Sequence, residues 1–171
     1  MITRRTFLVT GAAGTAALLA AYWGHRATST PADHPIDRAR ALSVIAAIAP
    51  IMLDGALPEA SLDRERAVSA TVQRVDAALI ALSLPTQHEL AQMFALLTWA
   101  PARLAVTGLS RPWPESRPEA VREALAGLRD SPLALKRSAY AALHQLVLGA
   151  WYAGEEAWTR IGYPGPPSLA S

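Results

Sequence analysis

Three of the four histidines, His34, His88 and His144, lie beyond residue 29 and are the side chains best suited to binding a metal or moving a proton. Helical zinc motifs place a second histidine four residues after the first, and none stands at that spacing from His88. His144 has no acidic residue one helical turn away on either side. A metal site would need distant residues to converge, so we expect surface or capped histidines instead.

The neighbours Glu155 and Glu156 are the other candidates for acid–base chemistry. Adjacent residues point to different sides of a helix, so these carboxylates are not expected to act together. The chain has no cysteine, which excludes thiolate catalysis and cysteine-ligated metal or iron–sulfur sites. It also has no phosphate-binding glycine loop, nucleophile elbow or dinucleotide fingerprint. The sequence therefore predicts no catalytic residue, cofactor site or metal site; the alternative is an enzyme that joins distant residues such as His144 and Glu155.

Aromatic residues in the last third of the chain suggest protein recognition. Tryptophan and tyrosine are favoured anchors of protein interfaces. The predicted partner-binding residues are Trp113, Trp151, Tyr152, Trp158, Tyr163 and Pro164. The proline-rich segments 111–114 and 162–167 are the best candidates for contact, because their prolines reduce the entropy lost on docking. An equally weighted alternative is that the aromatic side chains fill the core of the protein's own fold.

The N-terminus has the order of an export signal: a positive start, an apolar run and a small-residue cleavage zone. An arginine pair, one further residue and then Phe-Leu resemble the twin-arginine consensus closely. The predicted signal residues are Arg4, Arg5, Phe7 and Leu8. The apolar run at 8–23 is shorter than a spanning helix requires and contains glycine and threonine. We expect residues 1–29 to be a signal peptide and the protein to be periplasmic; an ordinary secretory signal and a retained anchor are alternatives.

Charge is distributed unevenly along the chain. Three of the 16 basic residues, Arg4, Arg5 and Arg26, lie in the signal peptide, which leaves 13 basic against 14 acidic residues and a net charge of −1. The remainder is therefore not a basic surface that would attract nucleic acid. We expect no nucleic-acid partner, and contact with the membrane only through the signal peptide.

The rest of the chain is rich in alanine and leucine and shows no strand-like alternation, which favours helices. Residues 30–36 are expected to form a linker, and residues 37–171 a compact all-α bundle of five or six helices. Asp37, Thr86, Ser116 and Ser131 are predicted to begin helices, and Pro50 to stop or kink the first one. A second helix is expected from about Asp63 to Leu82, with its buried stripe at Val68, Val72, Val75, Leu79 and Leu82.

Several dispersed segments resemble the gluconate 2-dehydrogenase subunit 3 type of small subunit, which belongs to membrane-associated, flavin-dependent dehydrogenases. The resemblance covers most of the chain beyond the signal peptide and includes no catalytic signature. Besides the signal peptide and Trp113, the segments that carry it are Leu53-Asp54-Gly55-Ala56-Leu57-Pro58, Thr107-Gly108-Leu109, Tyr140-Ala141-Ala142-Leu143-His144-Gln145-Leu146, Trp151-Tyr152 and Ile161-Gly162-Tyr163-Pro164-Gly165-Pro166-Pro167.

The resemblance implies an accessory role. In such complexes a large flavoprotein of the glucose–methanol–choline type, which holds FAD, oxidises an alcohol, polyol or sugar acid, and a cytochrome c often takes the electrons. The small subunit carries the export signal, helps the flavoprotein mature and takes it through the twin-arginine translocase as folded cargo. The resemblance thus implies a non-catalytic subunit with no cofactor of its own; the alternative is a stand-alone periplasmic helical interaction protein.

Overall fold

The structure, a computed structural model, describes residues 36–162 and Pro164, without the side chains of residues 159–161. The elements in chain order are α1 (Arg38–Met52), α2 (Ser61–Ala81), α3 (Leu84–Thr98), α4 (Ala100–Thr107), a 3₁₀ helix (Trp113–Glu115), α5 (Pro118–Arg129), α6 (Ala134–Tyr152) and α7 (Glu155–Ile161). The all-α prediction is confirmed. The short helices α4 and α7 bring the number of α-helices among the described residues to seven.

Helix α1 lies at the centre of the bundle. Its fully buried residues repeat at spacings of three and four, which defines one continuous face. These residues are Ala41, Val44, Ile45, Ile48 and Ala49. Helices α2, α3, α5 and α6 and the 3₁₀ helix all pack against α1. Ile36 joins the same core at 5% exposure, so the predicted linker is wrong at its last position, because this side chain belongs to the helical domain.

Helix α1 begins as predicted and ends later than predicted. The Asp37 side chain accepts a hydrogen bond from the backbone N–H of Arg40, which confirms the expected cap. Pro50 does not stop the helix, which continues to Met52. A proline at this position deprives the carbonyl of Ala46 of its helical donor. Ala46 is exposed, so solvent can reach that carbonyl, which explains why the helix tolerates the proline.

The buried stripe of α2 lies one residue away from the predicted one at its first two positions. Ala67 and Thr71 are buried, whereas Val68 and Val72 are only half-buried. A small residue lets α2 approach closely, and the Thr71 hydroxyl donates to the carbonyl of Ala67 at 2.8 Å. Thr71 is therefore satisfied within its own helix, which makes a buried polar residue acceptable at this position.

Three predicted helix caps are wrong. Thr86 lies inside α3, which begins at Leu84, and its hydroxyl is 2.9 Å from that of Ser83. Ser116 precedes the N-cap of α5 and donates instead to the carbonyl of Pro112 at 2.9 Å. Ser131 lies in the loop before α6 and accepts from the N–H of Leu133. Each hydroxyl is satisfied in the preceding turn or loop, a local alternative open to serine and threonine.

Helices α1 and α2 form an antiparallel pair that is bridged near both ends. Arg38 at the start of α1 binds Asp76 of α2, with its Nε 2.6 Å from a carboxylate oxygen. This hydrogen bond and the positive charge of Arg38 lower the pKa of Asp76. Arg64 of α2 reaches Asp54 in the loop after α1 at 3.6 Å. Within the part of the chain that the structure describes, no helix is long and apolar enough to cross a membrane.

Candidate partner-binding surface

The predicted partner-binding residues separate into buried and exposed groups. Trp113 and Trp151 are each only 2% exposed, Trp158 is half-buried, and Tyr152 is 47% exposed. Pro164 is exposed, and Tyr163 lies outside the described residues. For Trp113 and Trp151 the partner-binding prediction is therefore wrong, because both side chains belong to the core of this domain. Tyr152, Trp158 and Pro164, all in the last part of the chain, stay candidates and are called the C-terminal surface below.

Trp113 is buried because its indole N–H binds a backbone carbonyl at the end of a helix. The last backbone bond of α3 runs from the N–H of Trp99 to the carbonyl of Ala95, and the first of α4 runs from Arg103 to Trp99. The carbonyl of Leu97 lies between them, and the residue four positions later is Pro101, which has no N–H. The indole N–H of Trp113 donates to this carbonyl at 2.8 Å. Trp113 thus joins the break between α3 and α4 to the 3₁₀ helix.

Arg103 stabilises the same break, a role that its neighbours in the sequence do not indicate. The residue is only 5% exposed, yet its guanidinium has no carboxylate partner among the described residues. It donates instead to three backbone carbonyls: Thr98 at 2.9 Å, Ser110 at 3.2 Å and Leu109 at 3.3 Å. A buried guanidinium is tolerated when its N–H groups find hydrogen-bond acceptors. Here the accepting carbonyls belong partly to the loop that leads to the 3₁₀ helix, so these bonds fix that loop.

The exposed tyrosine of the C-terminal surface is held in place by the residues around it. Trp151 and Tyr152 are neighbours in α6 and therefore point in different directions, Trp151 into the core and Tyr152 outward. The indole N–H of Trp158 donates to the carbonyl of Tyr152 at 2.8 Å, which ties α7 to the end of α6. Tyr152 thus presents an aromatic ring to solvent from a fixed backbone.

An ion pair fixes α7 against α2. One nitrogen of Arg74, Nη2, lies 2.8 Å from both carboxylate oxygens of Glu156. The hydrogen bond from Arg74 is the main cause that lowers the pKa of Glu156, in spite of partial desolvation. The guanidinium and the carboxylate both lie so close to Gly154 that a Cβ atom at this position would collide with them. Glu156 therefore has a structural partner, and it is not free to act with Glu155 as an acid–base pair.

Helix α4 and the end of α3 form a second apolar surface. Trp99 is 54% exposed and Leu104 is 53% exposed. Between residues 90 and 110 the only charged residue is Arg103, which is buried. An uncharged surface with a large exposed aromatic residue is typical of protein interfaces rather than of a solvated helix. In the sequence, the length of this uncharged run is the feature that indicates such a surface.

A shallow cleft of about 400 Å³ lies between the end of α4 and the start of α5. It is lined by Gly108, Leu109, Ser110, Arg111, Glu115, Ser116, Arg117 and Ala120. Gly108 adopts a positive φ of 77°, a conformation that favours glycine, and it turns the chain sharply after α4. The lining mixes both charge signs, because Glu115 lies beside two arginines.

The remaining candidates for chemistry are separated in space or solvated. His88 and His144 are both exposed, and the ring of His144 stacks on Tyr140 with 5.7 Å between ring centroids. Among residues 36–162 and Pro164, no group of three or more His, Asp or Glu residues is arranged to hold a metal ion. His34 and the predicted signal residues Arg4, Arg5, Phe7 and Leu8 lie outside the described residues.

Comparison with known proteins adds no relative to this description. The chain matches no protein-family model, no curated protein and no solved structure.

Proposed function

We propose that this chain is a non-catalytic accessory subunit that carries a flavin-dependent dehydrogenase to the periplasm. The observation that carries the proposal is the C-terminal surface: Tyr152 is exposed on a backbone that Trp158 and the Arg74–Glu156 ion pair hold in place. A rigid, exposed aromatic residue is a favoured anchor for a protein partner, since little entropy is lost when it is covered.

The signal peptide supports the same proposal from the other end of the chain. The Arg4-Arg5 pair and the following Phe7-Leu8 resemble a twin-arginine address, and that route transports folded proteins. Folding before export is required when a cofactor such as FAD must be inserted in the cytoplasm. The resemblance to the small dehydrogenase subunits supplies the partner's class: a glucose–methanol–choline type flavoprotein acting on an alcohol, polyol or sugar acid, with a cytochrome c as electron acceptor.

Co-purification from the periplasm tests this proposal. The full chain with a C-terminal tag is expressed in its native host and isolated from the periplasm, and the absorption spectrum of the sample is recorded. We expect a co-purifying protein whose absorption spectrum shows the visible bands of an oxidised flavin. Changing Arg4 and Arg5 together to Lys should leave both proteins in the cytoplasm.

Arg26→Lys is the matched control, because it changes an arginine of the same signal peptide outside the twin-arginine motif. We expect both proteins to reach the periplasm in this variant. If the tagged chain is exported alone and is colourless, the dehydrogenase link is wrong, and a stand-alone periplasmic interaction protein is the better proposal. If the flavoprotein reaches the periplasm when Arg4 and Arg5 are Lys, the chain does not carry it.

A further inference from the structure

The start of α6 exposes an unusual combination of side chains, which we call the α6 tip (residues 132–138). Leu133 is 60% exposed and Leu135 is 73% exposed, the highest value among the large hydrophobic residues that the structure describes. No residue between 131 and 142 is buried, so the first two turns of α6 lie outside the core. The α6 tip is therefore an apolar surface that packing within this domain does not explain.

The charges of the α6 tip are all positive. Lys136 and Arg137 lie in or next to the first turn of α6, which contains no acidic residue. No aspartate or glutamate occurs between residues 131 and 154, and the nearest acid, Asp130, is paired with Arg129 at 2.8 Å. Cations at a helix N-terminus oppose the helix dipole. Arg137 uses one nitrogen to donate to the carbonyl of Ser131 at 2.7 Å, but no carboxylate among the described residues pairs with Lys136 or Arg137, so both charges can still attract an external anionic partner.

The composition favours a lipid surface over a protein partner. Lysine is depleted at protein interfaces, and leucine is under-represented among their energetic anchors. The α6 tip contains no aromatic residue. Exposed leucines next to long cationic side chains are instead typical of interfacial membrane contact, in which apolar groups enter the boundary of headgroups and acyl chains and the charged ends remain at the phosphates.

We propose that the α6 tip is a peripheral contact site for anionic membranes. Leu133 and Leu135 enter the headgroup boundary, and Lys136 and Arg137 bind lipid phosphates. This contact is additional to any contact made by the signal peptide and does not depend on the proposed dehydrogenase partner. It would hold the helical domain against a bilayer with α6 directed end-on toward the lipid.

The absence of cysteine allows a direct test in the full chain. A single cysteine at Ala134, an exposed position between the two leucines, carries an environment-sensitive fluorophore. The matched control carries it at Ser110, an exposed position in the cleft at the other end of α5. The 12 residues of α5 separate these ends by about 18 Å, more than the depth of interfacial contact. The probes are vesicles of phosphatidylcholine, alone or mixed with phosphatidylglycerol.

We expect the label at residue 134 to shift to the blue with the anionic vesicles, and the label at residue 110 to stay unchanged. Because the signal peptide is present in both proteins, a difference between the labels reports the α6 tip. An unchanged spectrum at residue 134 overturns the proposal, as does an equal shift at both positions. An unchanged spectrum would leave the tip to a protein partner or to solvent.

Two tip variants, made in the chain labelled at residue 134, separate the two contributions. Changing Leu133 and Leu135 to Ser should raise the concentration of anionic lipid needed for half-maximal shift by about tenfold or more. Changing Lys136 and Arg137 to Gln should remove the preference for anionic vesicles. Glutamine keeps a donor for the carbonyl of Ser131, which Arg137 now binds at 2.7 Å, so α6 is expected to stay folded.

The matched controls are Leu62→Ser, at a leucine that is 65% exposed on α2, and Arg122→Gln, at an exposed position on α5. Neither should change the lipid dependence by more than about twofold. If Leu62→Ser weakens the shift as much as the change of both tip leucines, the contact is not specific to the α6 tip and the proposal is wrong. Circular dichroism establishes that each variant retains its helices.

Discussion

At the scale of single residues, the break between α3 and α4 determines where two side chains lie. Leu97 and Thr98 end α3 with carbonyls that the helix does not satisfy, and a buried carbonyl without a donor is destabilising. Trp113 supplies a donor to Leu97, and Arg103 supplies one to Thr98. Both side chains are therefore held in the core by hydrogen bonds to backbone carbonyls as well as by apolar packing. These bonds explain why an arginine can lie in the core without a carboxylate partner.

The contribution of the Trp113 hydrogen bond can be measured with Trp113→Phe. Phenylalanine keeps an aromatic ring but has no donor, so the carbonyl of Leu97 loses its partner. We expect the free energy of unfolding to fall by about 1–3 kcal/mol in addition to the loss of buried area, as measured by urea denaturation followed by circular dichroism.

Trp151→Phe is the matched control for this experiment. Trp151 is equally buried at 2% exposure, and its side chain has no hydrogen bond to another described residue. Its substitution removes a similar apolar area and no such bond, so the decrease should be smaller. Equal decreases in the two variants would show that the bond to Leu97 contributes nothing to stability.

At the scale of elements, contacts between distant parts of the chain fix the C-terminal surface. Arg74 of α2 and Glu156 of α7 are 82 positions apart in sequence, and their ion pair positions α7 beside the end of α6. The side chains are 30% and 42% exposed, so the pair contributes modestly to stability, within about 1 kcal/mol. Its more specific effect is on geometry, because it requires a residue without a side chain at position 154.

Gly154→Ala should open the ion pair. The new Cβ would collide with the guanidinium of Arg74 and the carboxylate of Glu156, and these flexible side chains would move apart. We expect the free energy of unfolding to fall by up to about 1 kcal/mol. Gly149→Ala in α6 is the control: nothing lies within 4 Å of its Cβ position, and alanine should raise stability by about 0.5–1 kcal/mol. If Gly154→Ala raises the free energy of unfolding as Gly149→Ala does, the close approach at Gly154 has no effect on stability.

The same ion pair should make stability depend on acidity. The pKa of Glu156 is lower in the folded protein than in the unfolded chain, where glutamate has a pKa of about 4.3. Its contribution is therefore fully present above that pH and is lost as the pH falls through the folded-state pKa. We expect Glu156→Gln to be less stable than the unchanged chain at pH 7, and the difference to disappear in acid.

Thermal unfolding followed across this pH range measures that difference. Arg74→Gln is the partner control, because it removes the cause of the lowered pKa without removing the carboxylate. It should abolish the same pH-dependent contribution, and the double variant should add nothing further. A difference between the unchanged chain and Glu156→Gln that persists undiminished in acid would show that the ionised carboxylate is not its source.

At the scale of the whole molecule, the features set by local sequence could be predicted, and those set by long-range contacts could not. The apolar spacing in α1, the cap at Asp37 and the turn at Gly108 are all determined within a few residues of chain. Composition alone was sufficient for the all-α class. The burial of Trp113 depends on a carbonyl 16 residues earlier, so its sequence neighbours could not distinguish a core residue from a surface anchor.

The exposed surfaces show the same limit. Residue type and position near the end of the chain predict the same role for the neighbours Trp151 and Tyr152, yet burial divides them between the core and the surface. The uncharged surface around Trp99 and the α6 tip lie outside the set predicted from the sequence, because exposure depends on which helices cover each face. A run of residues with no charge, or with charges of one sign only, was the available indication in both cases.

The C-terminal surface leads to a prediction about the assembled complex. Tyr152→Ser removes an exposed ring and keeps the carbonyl that accepts from Trp158, so the stability of the isolated chain should change by no more than about 0.5 kcal/mol. If Tyr152 is a central contact of the flavoprotein, the dissociation constant should rise by about tenfold or more, as measured by calorimetry with the co-purified partner. Leu62→Ser, which removes a more exposed residue from α2, should leave the constant unchanged. Equal affinities for the unchanged chain and Tyr152→Ser would exclude this surface and direct the search to Trp99 and Leu104.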